Sequence, residues 1–301
     1  MLNRITLAAA ALASASTLIA ATVGQAEVIY GLTTQNSISV IDSASPTNTL
    51  TGGVVTGLMQ NENLEAIDYR PANGMLYAIG NMNNLYTIDQ TTFAASLVGN
   101  FAPPALEGTS FAFDFNPAFD GGSGNPADIG RYARIISDTN DNRVVDAETG
   151  QYLGGPKTDV FYPMGDVNFG MDPNVVGIAY DNNVAMSSGT QQYGIDLNTG
   201  YLVTVANNAG TLGSIGQIGV TTFTSEGGLD ISGETGTAFA VLQPGPNSQL
   251  YTVDLSTGAA TQVGRFGAGQ LIRDLTVVPV PEPTGLALLG GLGLLGLRRR
   301  R

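Results

Sequence analysis

With no histidine and no cysteine among 301 residues, the acid–base chemistry open to this sequence rests mainly on carboxylates. The same absence excludes imidazole-built zinc sites, thiolate ligands, disulfides and every serine or cysteine nucleophile that depends on a histidine base. Two carboxylates suffice for glycoside hydrolysis, one as acid and one as base or nucleophile. Glu65, Glu107 and Glu226 are the candidates, because each stands just before a segment that reads as a strand of the same kind. A hard cation is the other chemistry that oxygen ligands offer. In residues 137–146, SDTNDNRVVD, Asp138, Asn140 and Asn142 alternate as in a calcium loop. The pattern then fails, since no glycine fills the sixth place and Thr149 stands where the closing glutamate belongs. Aspartate and asparagine are also common turn residues, so a β-turn is the preferred reading and calcium the weaker one. No residue is assigned to catalysis or to a cofactor.

The elements that would position these groups recur along the chain. QLYTVDLSTG, residues 249–258, has relatives beginning at Ser37, Asn84, Asn142 and Gln191, with aspartates at Asp42, Asp89, Asp146, Asp196 and Asp254. A period of about 50 residues is that of repeated four-stranded blades rather than of short solenoid turns. An aliphatic residue precedes every aspartate, and Tyr86, Tyr193 and Tyr251 stand two places further back, so one face of a strand is apolar at period two. The aspartate ends the strand by bonding amides of the next turn. Gly150, Gly200 and Gly258, four residues on, supply the left-handed backbone that the turn needs. The five aspartates are therefore turn-formers.

A second strand type begins near Leu64, Ser110, Val175, Gly227 and Asp274, one for each copy of the aspartate unit. The last stands alone at residues 271–279, while the opening strands between residues 27 and 55 number three and lack a strand of that type. The economical solution is an all-β, five-bladed β-propeller whose ring closes by pairing of its N- and C-terminal strands, which also removes exposed sheet edges. An open pair of β-sandwiches would leave the period unexplained. Forty glycines and 12% charged residues agree with many short strands and tight turns. A chain of this size buries about three quarters of its unfolded surface.

Three regions follow. Residues 1–26 read as a signal peptide, with Arg4, an apolar run from Leu7 to Val23 and small residues at Gly24 and Ala26 before a cut at Glu27; a membrane anchor is the lesser alternative. Residues 27–279 form the propeller domain. There 7 basic residues face 24 acidic ones, a net charge of −17 that repels nucleic acid. Gly121, Gly122 and Gly124 are followed by no lysine and read as flexible linkage rather than as a phosphate loop. Residues 280–301 hold Pro281, Glu282 and Pro283, an apolar run of about 14 residues, short of a span of roughly 20, and then Arg298, Arg299, Arg300 and Arg301.

Two resemblances add to this. The ordered segments LEAIDYRPANGMLYAI, SFAFDFNP, RIISDTNDNRVVDAETG, FGMDPNVVGIAYDNN, GLDIS, AFAVL, QLYTVDLSTGAATQVG and LIRDLTVV, between Leu64 and Val278, resemble the bacterial domain of unknown function 4394. That family has no assigned activity, so the likeness implies a propeller-like fold and no catalytic residue. An insertion at residues 120–129, DGGSGNPADI, departs from its pattern. The final 22 residues resemble the PEP-CTERM sorting tail of Gram-negative bacteria. This implies signal peptidase and exosortase as processing partners, transient insertion in the inner membrane, and a final place at the cell surface or in the exopolysaccharide matrix. The expectation is a non-catalytic surface or matrix protein that meets polysaccharide or other proteins; the alternative is an extracellular carbohydrate-active enzyme using a carboxylate pair at the propeller mouth.

Overall fold

The computed structural model describes residues 26–154, 157–222, 224 and 226–278. The expected signal peptide up to Gln25 and the expected sorting tail, with Pro281, Glu282, Pro283 and Arg298 to Arg301, lie outside the described residues. Five antiparallel sheets form the molecule. Blade 1 joins both ends of the domain: β19 (Ile272–Val277), β1 (Val28–Thr33), β2 (Ser37–Asp42) and β3 (Thr49–Val54). Blade 2 runs β4 (Leu64–Arg70), β5 (Met75–Gly80), β6 (Asn84–Ile88) and β7 (Ala95–Asn100). Blade 3 holds β8 (Phe111–Phe115), β9 (Tyr132–Ser137) and β10 (Asn142–Asp146). Blade 4 comprises β11 (Val175–Tyr180), β12 (Gln192–Asp196), β13 (Tyr201–Val205) and β14 (Leu212–Gln217), and blade 5 β15 (Gly228–Ile231), β16 (Ala238–Leu242), β17 (Gln249–Val253) and β18 (Ala260–Arg265).

The expected closure is found. β19 pairs with β1 from Ile29 opposite Val277 to Thr33 opposite Ile272, so the last strand is the innermost strand of the first blade. The inner strands β19, β4, β8, β11 and β15 touch one another in that order and return to β19, forming the ring. Strand faces alternate, so each blade buries apolar residues against both neighbours, and five cores fill the five interblade spaces. One such core packs Tyr30 of blade 1 edge-to-face on Tyr69 of blade 2, with ring centroids 5.5 Å apart.

Two departures from strict repetition appear. Blade 3 has three strands among the described residues, and a single bridge from Val145 to Tyr152 stands where a fourth would pair. The aspartate unit ends the third strand in blades 1, 2, 3 and 5, but in blade 4 it ends the second strand, β12. The turn chemistry survives the shift. Asp42, Asp89, Asp146, Asp196 and Asp254 each accept the amide two residues on, at 2.7–3.0 Å counting the adjoining amide of Thr92. Gly150, Gly200 and Gly258 have φ of 65°, 71° and 82°. The glycine-rich insertion, expected to be a flexible linker, is instead tied down: the two oxygens of Asp120 accept the amides of Gly122 and Gly124, both at 2.8 Å.

Candidate functional site

The inner strands crowd the ring axis. A β-carbon on Gly177 would lie 2.6 Å from the Leu229 amide nitrogen, and one on Gly228 2.3 Å from Asp274 Oδ1. Small residues at Ala66, Ala112, Gly177 and Gly228 let the strands approach, and Asp274 occupies the corresponding slot of β19. Two residues further along each strand the slots hold Asp68, Asp114, Ala179, Asp230 and Thr276. These side chains bind the inner strands together. Phe115 N donates to Asp68 Oδ2 at 2.8 Å, Tyr180 N to Asp114 Oδ1 at 3.2 Å, Val277 N to Asp230 Oδ2 at 2.6 Å and Tyr69 N to Thr276 Oγ1 at 3.2 Å. Each step around the ring is thus bridged by an inner-strand side chain except that from blade 4 to blade 5, where Asn183 Nδ2, in the loop after β11, makes two long bonds instead, to Asp230 Oδ1 at 3.5 Å and to the Ile231 carbonyl at 3.4 Å. There Ala179 offers no acceptor, and Ile231 N turns to the carboxylate of its own neighbour Asp230.

The carboxylate oxygens of Asp68, Asp114 and Asp230 lie within 4.8 Å of one another, and all three residues are buried. The Thr276 hydroxyl lies 2.9 Å from Asp68 Oδ1 and 3.0 Å from Asp230 Oδ2, and its single proton serves one of them at a time. Burial drives the Asp68 and Asp114 carboxyls well above the usual range, and the neighbouring acids push them in the same direction. Burial also raises Asp230, to about 7. Asp274 is raised by burial too, against the pull of the amides of Ile67 and Leu275 that it accepts at 2.9 Å. Among the described residues no ion pair reaches any of the four. Such a group can share protons or hold a hard cation.

Toward the N-terminal ends of the inner strands, Arg273 gathers two of the three glutamates singled out by sequence. Its Nη1 donates to Glu65 Oε2 at 2.8 Å and to the Leu64 carbonyl at 2.8 Å, and its Nε to Glu226 Oε2 at 3.1 Å. Glu65 stands inside β4 rather than before it, because the strand begins at Leu64. Burial raises its carboxyl to about 7, outweighing the pull of Arg273. Glu107 stays apart: its side chain is exposed, and its carbonyl accepts the Thr139 hydroxyl at 3.0 Å.

The calcium-loop residues each turn to a different partner. Asp138 accepts the Thr109 amide and hydroxyl at 2.8 and 2.7 Å, and Asn140 donates to Asp172 at 2.8 Å, leaving its own Oδ1 without a donor. Asn142 is buried, accepts from Arg134 and donates to the carbonyls of Thr158 and Asn207, both at 2.9 Å. The sequence reading passed over Asp68, Asp114, Asp230, Asp274 and Arg273. The available signal was an acid in one slot between large apolar neighbours, as Ile67-Asp68-Tyr69, Phe113-Asp114-Phe115 and Leu229-Asp230-Ile231.

No curated protein matches the chain. Among solved structures it is similar to a chain of a nidogen/laminin complex, with 12% identity over 84% of this chain and 98% of that one and a TM-score of 0.45. TolB from Acinetobacter baumannii is similar at 12% identity over 85% of this chain and 66% of that one, with a TM-score of 0.42. Hydrazine synthase of Kuenenia stuttgartiensis follows at 14% identity over 69% and 51%, with a TM-score of 0.39. Likenesses at this level transfer no function. The profile of the family described as Domain of unknown function (DUF4394) matches residues 37–276, from the start of β2 to the axial Thr276, and the chain belongs to that family.

Proposed function

We propose that this chain is an exported protein of the cell surface or exopolysaccharide matrix, whose propeller is a non-catalytic binding and structural scaffold. The observation that carries the binding reading is the loop between blades 3 and 4. Phe161, Met164, Val167, Phe169 and Met171 are all exposed there, Met164 by 86%. Asp166 pins the loop to β14, accepting the Ser214 amide at 2.8 Å and its hydroxyl at 2.6 Å, while Asn168 Nδ2 donates to the same hydroxyl at 2.8 Å. Large apolar groups shown to water on an ordered loop are a contact surface whose ordering cost is already met. Methionine, valine and phenylalanine suit the apolar side chains of another surface protein better than sugar hydroxyls, and the net charge of −17 favours a partner with a basic rim.

Sorting rests on the sequence of the two ends. Signal peptidase would cut before Glu27. The apolar run would then halt in the inner membrane, with Arg298 to Arg301 on the cytoplasmic side, until an exosortase acts near Pro281, Glu282 and Pro283. Closure at Val277 supports this division, because processing after it removes no strand of the ring. The enzyme reading draws on Glu65 and Glu226, which bond one guanidinium and so stand as a carboxylate pair of the kind glycoside hydrolysis uses. The same guanidinium occupies both carboxylates, and Glu65 is 6% exposed, so binding stands ahead of catalysis.

The test expresses the full chain in cells that hold the sorting enzyme, beside a variant carrying M164S, V167S, F169S and M171S. Both should lose the tail, and the variant should pass folded into the medium while the parent stays in the matrix. Equal retention would remove the loop from the account. An intact Arg301 end on surface protein would overturn sorting, and glycan hydrolysis abolished by Glu65→Gln would replace the scaffold with an enzyme.

A further inference from the structure

We propose that the propeller axis is a divalent-cation site, fitted to calcium, in which carboxylate oxygens of Asp68, Asp114 and Asp230 are joined by the side-chain amide oxygen of Asn183. The three acids come from three different blades, so a bound ion would tie blades 2, 3 and 5 together at the centre of the ring. Calcium–oxygen bonds of 2.3–2.6 Å make a shell about 5 Å across, and oxygens lying within 4.8 Å of one another fit inside it. Magnesium, at about 2.1 Å, makes a shell near 4.2 Å and demands closer, octahedral placement. An all-oxygen donor set also disfavours zinc.

Asn183 is the independent observation. It enters from the loop after β11, in the sector where Ala179 brings no carboxylate, and it is 8% exposed. Its Nδ2 donates to Asp230 Oδ1 at 3.5 Å and to the Ile231 carbonyl at 3.4 Å, while its own Oδ1 has no donor; a half-turn of the amide exchanges the two atoms and sets Oδ1 against the carboxylates. A buried amide oxygen without a donor, on a side chain leaning on a carboxylate, is the fourth ligand that a hard cation would use. Charge adds to the case. Glu65, Glu226, Asp274, Asp68, Asp114 and Asp230 line the axis, and Arg273 is the guanidinium that ion-pairs with two of them. Unpaired buried carboxylates are neutralised by protons or coordinate metal, and a divalent ion would also strengthen the blade 4 to blade 5 step, where the bonds from Asn183 are long.

The experiment measures divalent metal in the purified full-length chain by elemental analysis after desalting. It then compares melting after refolding in chelator with melting after refolding in millimolar calcium. Roughly one calcium per chain is expected, with a melting temperature about 5–10 °C higher in calcium at hundredfold saturation. Asn183→Ala keeps the inner-strand bonds made by Asp68, Asp114, Asp230 and Thr276 and should reduce that rise, as should Asp230→Asn, whereas Asp138→Ala should not. A wild-type chain without stoichiometric metal, melting alike in chelator and calcium, would overturn the site and leave protons on the axis. A calcium response lost in Asp138→Ala but kept in Asn183→Ala would overturn it equally, by moving the ion to the β9–β10 hairpin.

Discussion

Aspartates at the turns and aspartates on the axis have opposite fates in this molecule. Asp89 and Asp254 end their third strands in water and accept amides and hydroxyls of the next two or three residues, and these bonds hold their carboxyls below the usual value. Asp68 and Asp114 accept single amides from the neighbouring blade, and burial drives their carboxyls up. A turn aspartate thus stabilises its own hairpin as an anion. An axial aspartate joins two blades and is costly as an anion unless something compensates its charge. The difference lies in hydration rather than in residue type.

Substitutions that separate shape from charge break the comparison most strongly on the axis. Asp68→Ala strands the Phe115 amide, at a cost of about 1–3 kcal/mol, and leaves the Thr276 hydroxyl to Asp230 alone. Asp68→Asn keeps an acceptor and removes a like charge from beside Asp230, so its cost should be smaller. Urea unfolding of both variants gives the order, and an Asn variant no more stable than the Ala variant would show that the axial bonds need the full carboxylate.

The turn aspartates were legible in sequence and the axial ones were not, for a physical reason. A turn leaves local marks: Asp254 has its hydrogen-bonding serine at Ser256 and its left-handed glycine at Gly258, all within five residues. The number of blades was legible for a similar reason, since the repeat spacing sets it and an unmatched strand at each end sets the closure. Asp68, Asp114 and Asp230 meet across separations of 46 to 162 residues, and each alone reads as one polar residue in an apolar strand. Arg273 also lay hidden, because its partners Glu65 and Glu226 are 208 and 47 residues away. The fourth strand that blade 3 lacks among the described residues left no mark either, since Thr149 and Gly150 repeat the turn residues of blades 4 and 5, Thr199-Gly200 and Thr257-Gly258.

A pH series sharpens the comparison through Glu65, the mouth carboxyl. Its folded value is about 7 against an ordinary 4.5, so the folded state holds its proton where the unfolded chain has lost it. Its contribution is therefore most favourable below about pH 4.5 and declines as pH rises to about 7, after which it is constant. Asp89, Asp146 and Asp254 run the other way: their contribution is present above the ordinary value near 3.8 and is lost as pH falls through their lowered values. Melting temperature should fall on both sides of a mildly acidic optimum. Glu65→Gln should reduce the alkaline slope, the rest of which comes from the raised carboxyls of Asp68, Asp114, Asp230 and Asp274, and leave the acid side unchanged; an alkaline side of undiminished slope would mean that Arg273 holds Glu65 ionised throughout.

The smallest effects are expected at the turns, and there the glycines should outrank the acids. At Gly258 φ is 82°, and an added β-carbon would lie 2.4 Å from the Gly216 carbonyl oxygen of blade 4, so Gly258→Ala combines left-handed strain of about 1–2 kcal/mol with a clash against a neighbouring backbone. At Gly200 φ is 71° and no atom lies within 4 Å of an added β-carbon, so Gly200→Ala carries the strain alone and should cost less. Asp254→Asn should cost least, because an asparagine oxygen can accept the same Ser256 and Thr257 amides, at 2.8 and 3.2 Å, and the group stands in water. Thermal melts of the three variants test the order Gly258→Ala, Gly200→Ala, Asp254→Asn. If Asp254→Asn matched Gly258→Ala, the turn would depend on the ionised carboxylate, and the distinction between anions that serve a hairpin and acids that join blades would lose its simplest support.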